Sequence, residues 1–177
     1  TGEAVQKMNF DKKYFVEGSV IWNDNLYILT WESRVAFIYD AETLEYKSSW
    51  KYPREGWGIT TDGKQLIASD GTANLYFMNH NFALDHKVVV KYEERPVRFL
   101  NELEYIDGKI WANVYTADEI VIINPKDGKV VGVSKMASPE GCGCKSGIAP
   151  VLRQMGVAVM LAGNMGQGAK NVLEAQR

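Results

Sequence analysis

The stretch FLNELEYIDGKIWANVYTADEI, residues 99–120, interleaves Asn101, Glu102 and Glu104 with Leu100, Leu103 and Tyr105, then turns back on Asp-Gly. Asp-Gly between two apolar alternations is a strong hairpin signal, so the stretch predicts two antiparallel strands. Further on, IVIINP (120–125) and KVVGVSKM (129–136) flank the polar turn KDGK, which adds a third strand and a fourth. Four short strands in a row therefore make one unit.

The same unit occurs twice earlier. Second strands are predicted at LYILTW (26–31) and QLIASD (65–70), matching KIWANV (109–114). Third strands are VAFIYD (35–40) and NLYFMN (74–79), each ending in Asp or Asn before a polar turn. Fourth strands are LEYKSSWKY and LDHKVVVKY, and first strands are FVEGSVIW, GWGITT and FLNELEYI. The repeat of about 40 residues is the period of propeller units. Helical periodicity fits poorly, because Gly and Asp interrupt each candidate helix. The expected fold is all-β, a β-propeller, with a β-sandwich as the competing arrangement. Propellers close with about four to eight blades, so a chain with about three would leave end faces uncovered and open to self-association.

Near residue 137 the text changes. ASPEGCGCKSG is small and flexible, IAPVLRQM reads as a short helix, GVAVMLAG as a buried strand and MGQGAKNVLEAQR as a helix. The expected organisation is a partial propeller over 1–136 and a linker with a short α/β fragment over 137–177. Cys142 and Cys144, one residue apart, do not suggest a disulfide scaffold. As metal ligands they are weak candidates, since two thiolates alone do not complete a site.

Composition narrows the functional classes. Twenty basic and 22 acidic side chains leave a net charge of -2, which gives no argument for nucleic-acid or membrane-surface binding. No apolar run is long enough to span a bilayer. The opening TGEAVQKMNFDKK lacks the basic and then apolar pattern of a secretory signal. No Walker loop, nucleophile elbow or dinucleotide fingerprint is present.

The first strands carry the candidate site. Each introduces a functional-looking group near its start: Glu17, then Trp57 after Glu55, then Asn101 with Glu102 and Glu104. Equivalent points of successive repeats converge in space, so these groups are expected to meet. Bland alternatives stand beside this: Glu17 at an exposed turn, Trp57 as packing, Glu102 and Glu104 as a solvated row. Asn113 and Asp70 read as local turn-makers, and His80 and His86 as solvent-facing.

KYFVEGSVIWNDNLYILTW, EGWGITTDGKQLIASDGTANLYF and FLNELEYIDGKIWANVYTADEIVIINPKDGKVVG resemble the glutamine cyclotransferase family over about residues 10–133. The resemblance implies a five-bladed propeller and a metal-free reaction that turns a peptide's N-terminal glutamine into pyroglutamate with release of ammonia. It implies Glu17 as the acid/base and Asn101 as the polar group on the substrate amide or oxyanion. Trp31, Trp57 and Tyr115 become the aromatic pocket, with Glu102 and Glu104 also at the substrate. The implied partner is a peptide or protein with N-terminal glutamine, the implied location extracytoplasmic, and no cofactor is expected. Two positions depart from the family pattern: Val16 replaces a glycine and Tyr115 a tryptophan. The family's opening and closing segments have no counterpart, so a non-catalytic propeller fragment serving as a binding surface is the alternative. Residues 141–177 resemble part of a dinitrogenase iron-molybdenum cofactor biosynthesis-type domain, which implies a third reading as a cofactor-related carrier through the CGC thiols.

Overall fold

In the computed structural model, residues 6–135 are described. The α/β fragment predicted for 137–177, with Cys142 and Cys144, lies outside the described residues. The described residues belong to one compact unit of the chain. Fourteen strands are seen among the described residues. Sheet I comprises β1 (Val16–Trp22), β2 (Asn25–Thr30), β3 (Val35–Asp40) and β4 (Tyr46–Lys51). Sheet II comprises β5 (Ile59–Thr61), β6 (Leu66–Ala68), β7 (Asn74–Met78) and β8 (Leu84–Val89). A two-stranded ribbon, β9 (Lys91–Tyr92) and β10 (Arg95–Pro96), leads to sheet III. That sheet holds β11 (Leu100–Ile106), β12 (Lys109–Val114), β13 (Glu119–Ile123) and β14 (Val130–Lys135).

Each four-stranded sheet is an antiparallel meander in sequence order. The turns explain why. Asn23 and Asp24, and Asp107 and Gly108, all take positive φ, the twist that two-residue hairpins need between right-twisted strands. At the third turn Asp40, Asn79 and Asn124 each accept backbone N–H groups through Oδ1, so a short polar side chain closes the same corner three times.

Alternation then builds the core. In sheet II Leu66, Ala68, Tyr76 and Met78 face a cluster shared with Tyr27, Leu29, Ala36 and Ile38 of sheet I. Ile67, Leu75 and Phe77 point the other way, into a cluster with Leu100, Leu103, Ile110, Ala112, Val121 and Ile123 of sheet III. The inner strands β6 and β7 of the middle sheet are thus buried on both faces, which is why they read as continuous apolar runs, whereas β8 is exposed. The outer face of sheet I is covered by the N-terminal segment, where Phe10 and Tyr14 meet Phe37 at ring distances of 5.5 and 5.1 Å.

The expected propeller is not found. Three four-stranded sheets and one ribbon lie side by side, and none is closed into a barrel or propeller or strongly curled. The physical reason is locality: hairpin turns and strand alternation specify each meander through neighbours a few residues away. Closure is a long-range property that the repeat does not encode. The all-β class and the strand order within each unit are as expected, whereas a five-bladed ring is not. Self-association through uncovered faces finds no support in the fold.

Candidate active site

The first strands of the three sheets run next to one another, with β5 packed against both β1 and β11. Glycines permit this. A β-carbon on Gly18 would stand 2.6 Å from the Trp57 carbonyl oxygen and 2.9 Å from Gly58 Cα. One on Gly58 would collide with the Asn101 carbonyl and come within 2.7 Å of Glu102 Cα. Gly18 on β1, Gly58 immediately before β5 and Glu102 on β11 therefore lie at equivalent points. One residue earlier come Glu17, Trp57 and Asn101, the three groups expected to meet.

Two β-bulges aim them. On β1 the pairing jumps from Val16 opposite Thr30 to Ser19 opposite Ile28, and on β11 from Leu100 opposite Val114 to Leu103 opposite Ala112. Each jump places one extra residue on the first strand, which bends the strand and redirects side chains. Glu17 and Asn101 occupy the same place in their bulges. On β11 the freed Glu102 N–H donates to Asn113 Oδ1 at 2.9 Å. In sheet II the Gly58 N–H donates to Ser69 Oγ at 2.9 Å, and the Ser69 hydroxyl donates onward to the Asn101 carbonyl at 2.7 Å. The Tyr105 N–H donates to Thr60 Oγ1 at 3.2 Å, a second tie between β11 and β5. Asn113 thus bonds backbone as expected, yet it serves the bulge rather than a turn. Asp70 holds its own turn through Thr72 and also accepts from the Tyr76 hydroxyl at 2.8 Å.

The carboxylates feel one another. Glu102 has its pKa pushed up to about 7, first by protein atoms crowding the carboxyl, then by the charges of Glu17 and Glu104. The residue as a whole is nonetheless exposed. Glu17, half-buried, is raised by loss of water alone. Glu104 lies two residues along on the same face as Glu102, as strand alternation requires. Beside them Asn101 Oδ1 is buried with no hydrogen-bond partner. An orphaned acceptor inside a folded protein calls for an explanation, and a missing ligand is one.

An aromatic wall flanks these groups. Trp57 meets Tyr115 edge to face at 5.7 Å, and Phe15 meets Trp31 in the same way at 6.0 Å. The Trp31 and Trp57 indoles both donate to Glu55 Oε2, at 2.9 and 3.1 Å. Gly71, with φ of +76°, lies under the Trp57 ring; a β-carbon there would come within 2.6 Å of it. Trp31 and Tyr115 remain exposed, at 38% and 53%. Val16 is half-buried and pairs with Thr30 at the start of β1.

Most of the expected residues come together: Glu17 on β1, Asn101 and Glu102 on β11, Trp57 just before β5 between them, and Trp31 and Tyr115 where the second strands end. The sequence marks Glu55 only as the neighbour of Trp57. Its part as a shared acceptor depends on side-chain directions across 24 residues, for which the local pattern holds no signal. His80 and His86 are exposed, as expected. Among the described residues no group of three or more His, Cys, Asp or Glu side chains is placed to hold a metal ion. No helix among them is long and apolar enough to cross a membrane.

A sequence profile described as glutamine cyclotransferase matches residues 1–159. The chain belongs to the glutamine cyclotransferase family. It is 42% identical over 132 residues to a glutaminyl-peptide cyclotransferase of Arabidopsis thaliana, covering 73% of this chain and 41% of that protein. The crystal structure of Myxococcus xanthus glutaminyl cyclase is similar at 30% identity with a TM-score of 0.67, covering 84% of this chain and 59% of that one. A protein of unknown function from Bacteroides caccae shares the fold alone, at 14% identity and a TM-score of 0.51, over 76% of this chain and 50% of that one. This family member thus spans less than two thirds of the length of these relatives. The family match also runs into residues 141–159, and nothing in the comparisons supports the iron-molybdenum cofactor resemblance for that segment.

Proposed function

We propose that this family member acts on peptides with N-terminal glutamine, closing the residue to pyroglutamate and releasing ammonia. The observation that carries the reading is the convergence at one level of Glu17 on β1, Trp57 just before β5 and Asn101 on β11, with Glu102 one residue on. The reaction needs a folded glutamine, a proton carrier and a polar group on the reacting amide. In the proposed sequence the α-amine nitrogen attacks the side-chain amide carbon, and a C–N bond forms as the carbonyl becomes an oxyanion. Glu17 takes a proton from the attacking amine and delivers it to the amide nitrogen. The old C–N bond then breaks, the carbonyl re-forms and ammonia leaves.

The other groups have matching tasks. Asn101 Oδ1, an acceptor without a partner, receives an N–H of the glutamine carboxamide. Glu102, whose pKa is pushed up to about 7 by crowding and then by the charges of Glu17 and Glu104, resists carrying a full negative charge beside Glu17. Trp31, Trp57 and Tyr115 pack the aliphatic part of glutamine and exclude water. Glu104 completes the acidic face that receives the amine.

The test is mass spectrometry of a Gln-initiated peptide incubated with the full chain. Loss of ammonia should occur with wild type and fall by about a hundredfold or more in Glu17→Gln. No turnover above buffer in wild type would overturn the reading. A second reading is peptide binding without turnover. Binding of the peptide without ammonia release would select it. By the same family reading the protein works outside the cytoplasm, which fractionation of the source cells would check.

A further inference from the structure

Indole N–H groups are donors only. Two tryptophans whose ring edges turn toward the same place therefore cannot satisfy each other, and each needs an acceptor. Here one atom serves both: Glu55 Oε2 accepts from Trp31 Nε1 at 2.9 Å and from Trp57 Nε1 at 3.1 Å. Trp31 follows the end of β2 and Trp57 precedes β5, so the two bonds join sheet I to sheet II at the site.

The backbone around Glu55 is held. The Gly56 N–H donates to the Thr30 carbonyl at 3.0 Å and the Trp57 N–H to the Ser69 carbonyl at 3.4 Å. A β-carbon on Gly56 would collide with the Leu29 side chain and come within 2.9 Å of the Thr30 carbonyl oxygen. The segment is thus pressed against β2. Glu55 also breaks a repeat. Phe15 and Phe99 stand two residues before Glu17 and Asn101, as Glu55 stands two before Trp57. The Trp31 N–H donates to the Phe15 carbonyl and the Tyr115 N–H to the Phe99 carbonyl. Sheets I and III therefore each set two aromatic residues opposite one another in the backbone pairing, Phe15 with Trp31 and Phe99 with Tyr115. The middle unit has Glu55 and Gly71 instead. Gly71 leaves the space that the Trp57 ring fills, and Glu55 supplies the acceptor that the ring edge requires.

We propose that Glu55 is the positioning residue of the aromatic wall, its single carboxylate oxygen locking the Trp31 and Trp57 indoles in the orientation that receives the glutamine side chain. This rests on the reaction proposed above for its substrate, though not for the anchor itself. Charge-assisted bonds of this kind are short and directional, which suits a group whose task is orientation. Glu55 does not touch the reacting atoms in this role.

The experiment uses the full chain, labelled with nitrogen-15, and reads the indole N–H resonances of Trp31 and Trp57, assigned by Trp31→Phe and Trp57→Phe. In wild type both should be displaced downfield and slow to exchange. Glu55→Ala should release both together, while Glu55→Gln, which keeps an acceptor oxygen, should retain both. With a Gln-initiated peptide, Glu55→Ala should raise KM about tenfold with kcat little changed, the pattern of lost uniform binding. Glu55→Gln should restore most of it. Should wild type bind without turnover, the dissociation constant from the same resonances takes the place of KM. The proposal is overturned if only one indole responds to Glu55→Ala, if Glu55→Gln is as damaging as Glu55→Ala, or if neither variant changes KM or peptide affinity. A wild-type chain that neither binds nor cyclises the peptide would sink the reaction and the substrate part of this role. The free-protein resonances would still decide whether Glu55 anchors both indoles.

Discussion

Gly58 lies so near β11 that a β-carbon on it would collide with the carbonyl oxygen of Asn101. The β-carbon is fixed by the backbone it is bonded to and its neighbour is a backbone oxygen, so neither can swing aside as the end of a flexible side chain would. Gly58→Ala should therefore push β5 from β11 and strain the Ser69 bonds that tie them. A loss of about 1–3 kcal/mol is expected, the usual range for overpacking. Urea unfolding should show it as a lower midpoint at unchanged slope. Gly132→Ala on β14 is the control: its nearest neighbour is the end of Ile122 at 3.1 Å, and the change should stay within about 0.5 kcal/mol.

Stability should fall as pH rises from about 4.5 to about 7, because Glu102 has its pKa raised from 4.5 to about 7 in the fold. In that window the native state holds a proton that the unfolded chain has released, so raising the pH favours unfolding. Below the window both states are protonated and above it both are ionised, so the slope vanishes at either end. Glu17, raised by burial, adds in the same direction. Urea midpoints at pH 5 and pH 8 should differ in wild type, and the difference should shrink in Glu102→Gln. Equal slopes in the two proteins would refute the assignment.

The Glu102 shift has a second cause that can be removed separately. Since the Glu17 charge is the largest electrostatic contribution after crowding, Glu17→Gln should lower the Glu102 pKa from about 7 without returning it to the ordinary carboxylate range. Carbon-13 titration of the Glu102 carboxyl reads this directly. An unmoved midpoint would mean that the two carboxylates do not interact.

How much of this was legible beforehand divides along the range of the forces involved. Val35–Asp40 and Lys109–Val114 match the predicted strands residue for residue, since alternation and turn chemistry are local. The equivalence of Glu17, Trp57 and Asn101 was legible too, because a repeat carries position with it. The bulges at Glu17 and Asn101 were not, for the extra residue only shows against the partner strand. Nor was the failure of the sheets to close. Closure depends on how whole sheets meet, and no window of the repeat contains that information. Glu55 was hidden for a similar reason, its two donors being fixed by tertiary packing rather than by spacing.

Asn101 offers the sharpest separation of stability from function. Its Oδ1 is buried without a partner, so the fold bears a desolvation cost that nothing within it returns. Asn101→Leu, similar in size and apolar, should leave stability unchanged or raise it by about 1 kcal/mol. The Asn101 backbone carbonyl, which accepts from Ser69, is untouched by the substitution. Ammonia release from a Gln-initiated peptide should meanwhile drop by about a hundredfold, the scale of losing one polar group at a developing charge. An ordinary structural asparagine would behave in the opposite way, costing stability when removed and leaving turnover alone. Unfolding and activity measured on the same preparation distinguish the two, and a variant that is both less stable and fully active would remove Asn101 from the site.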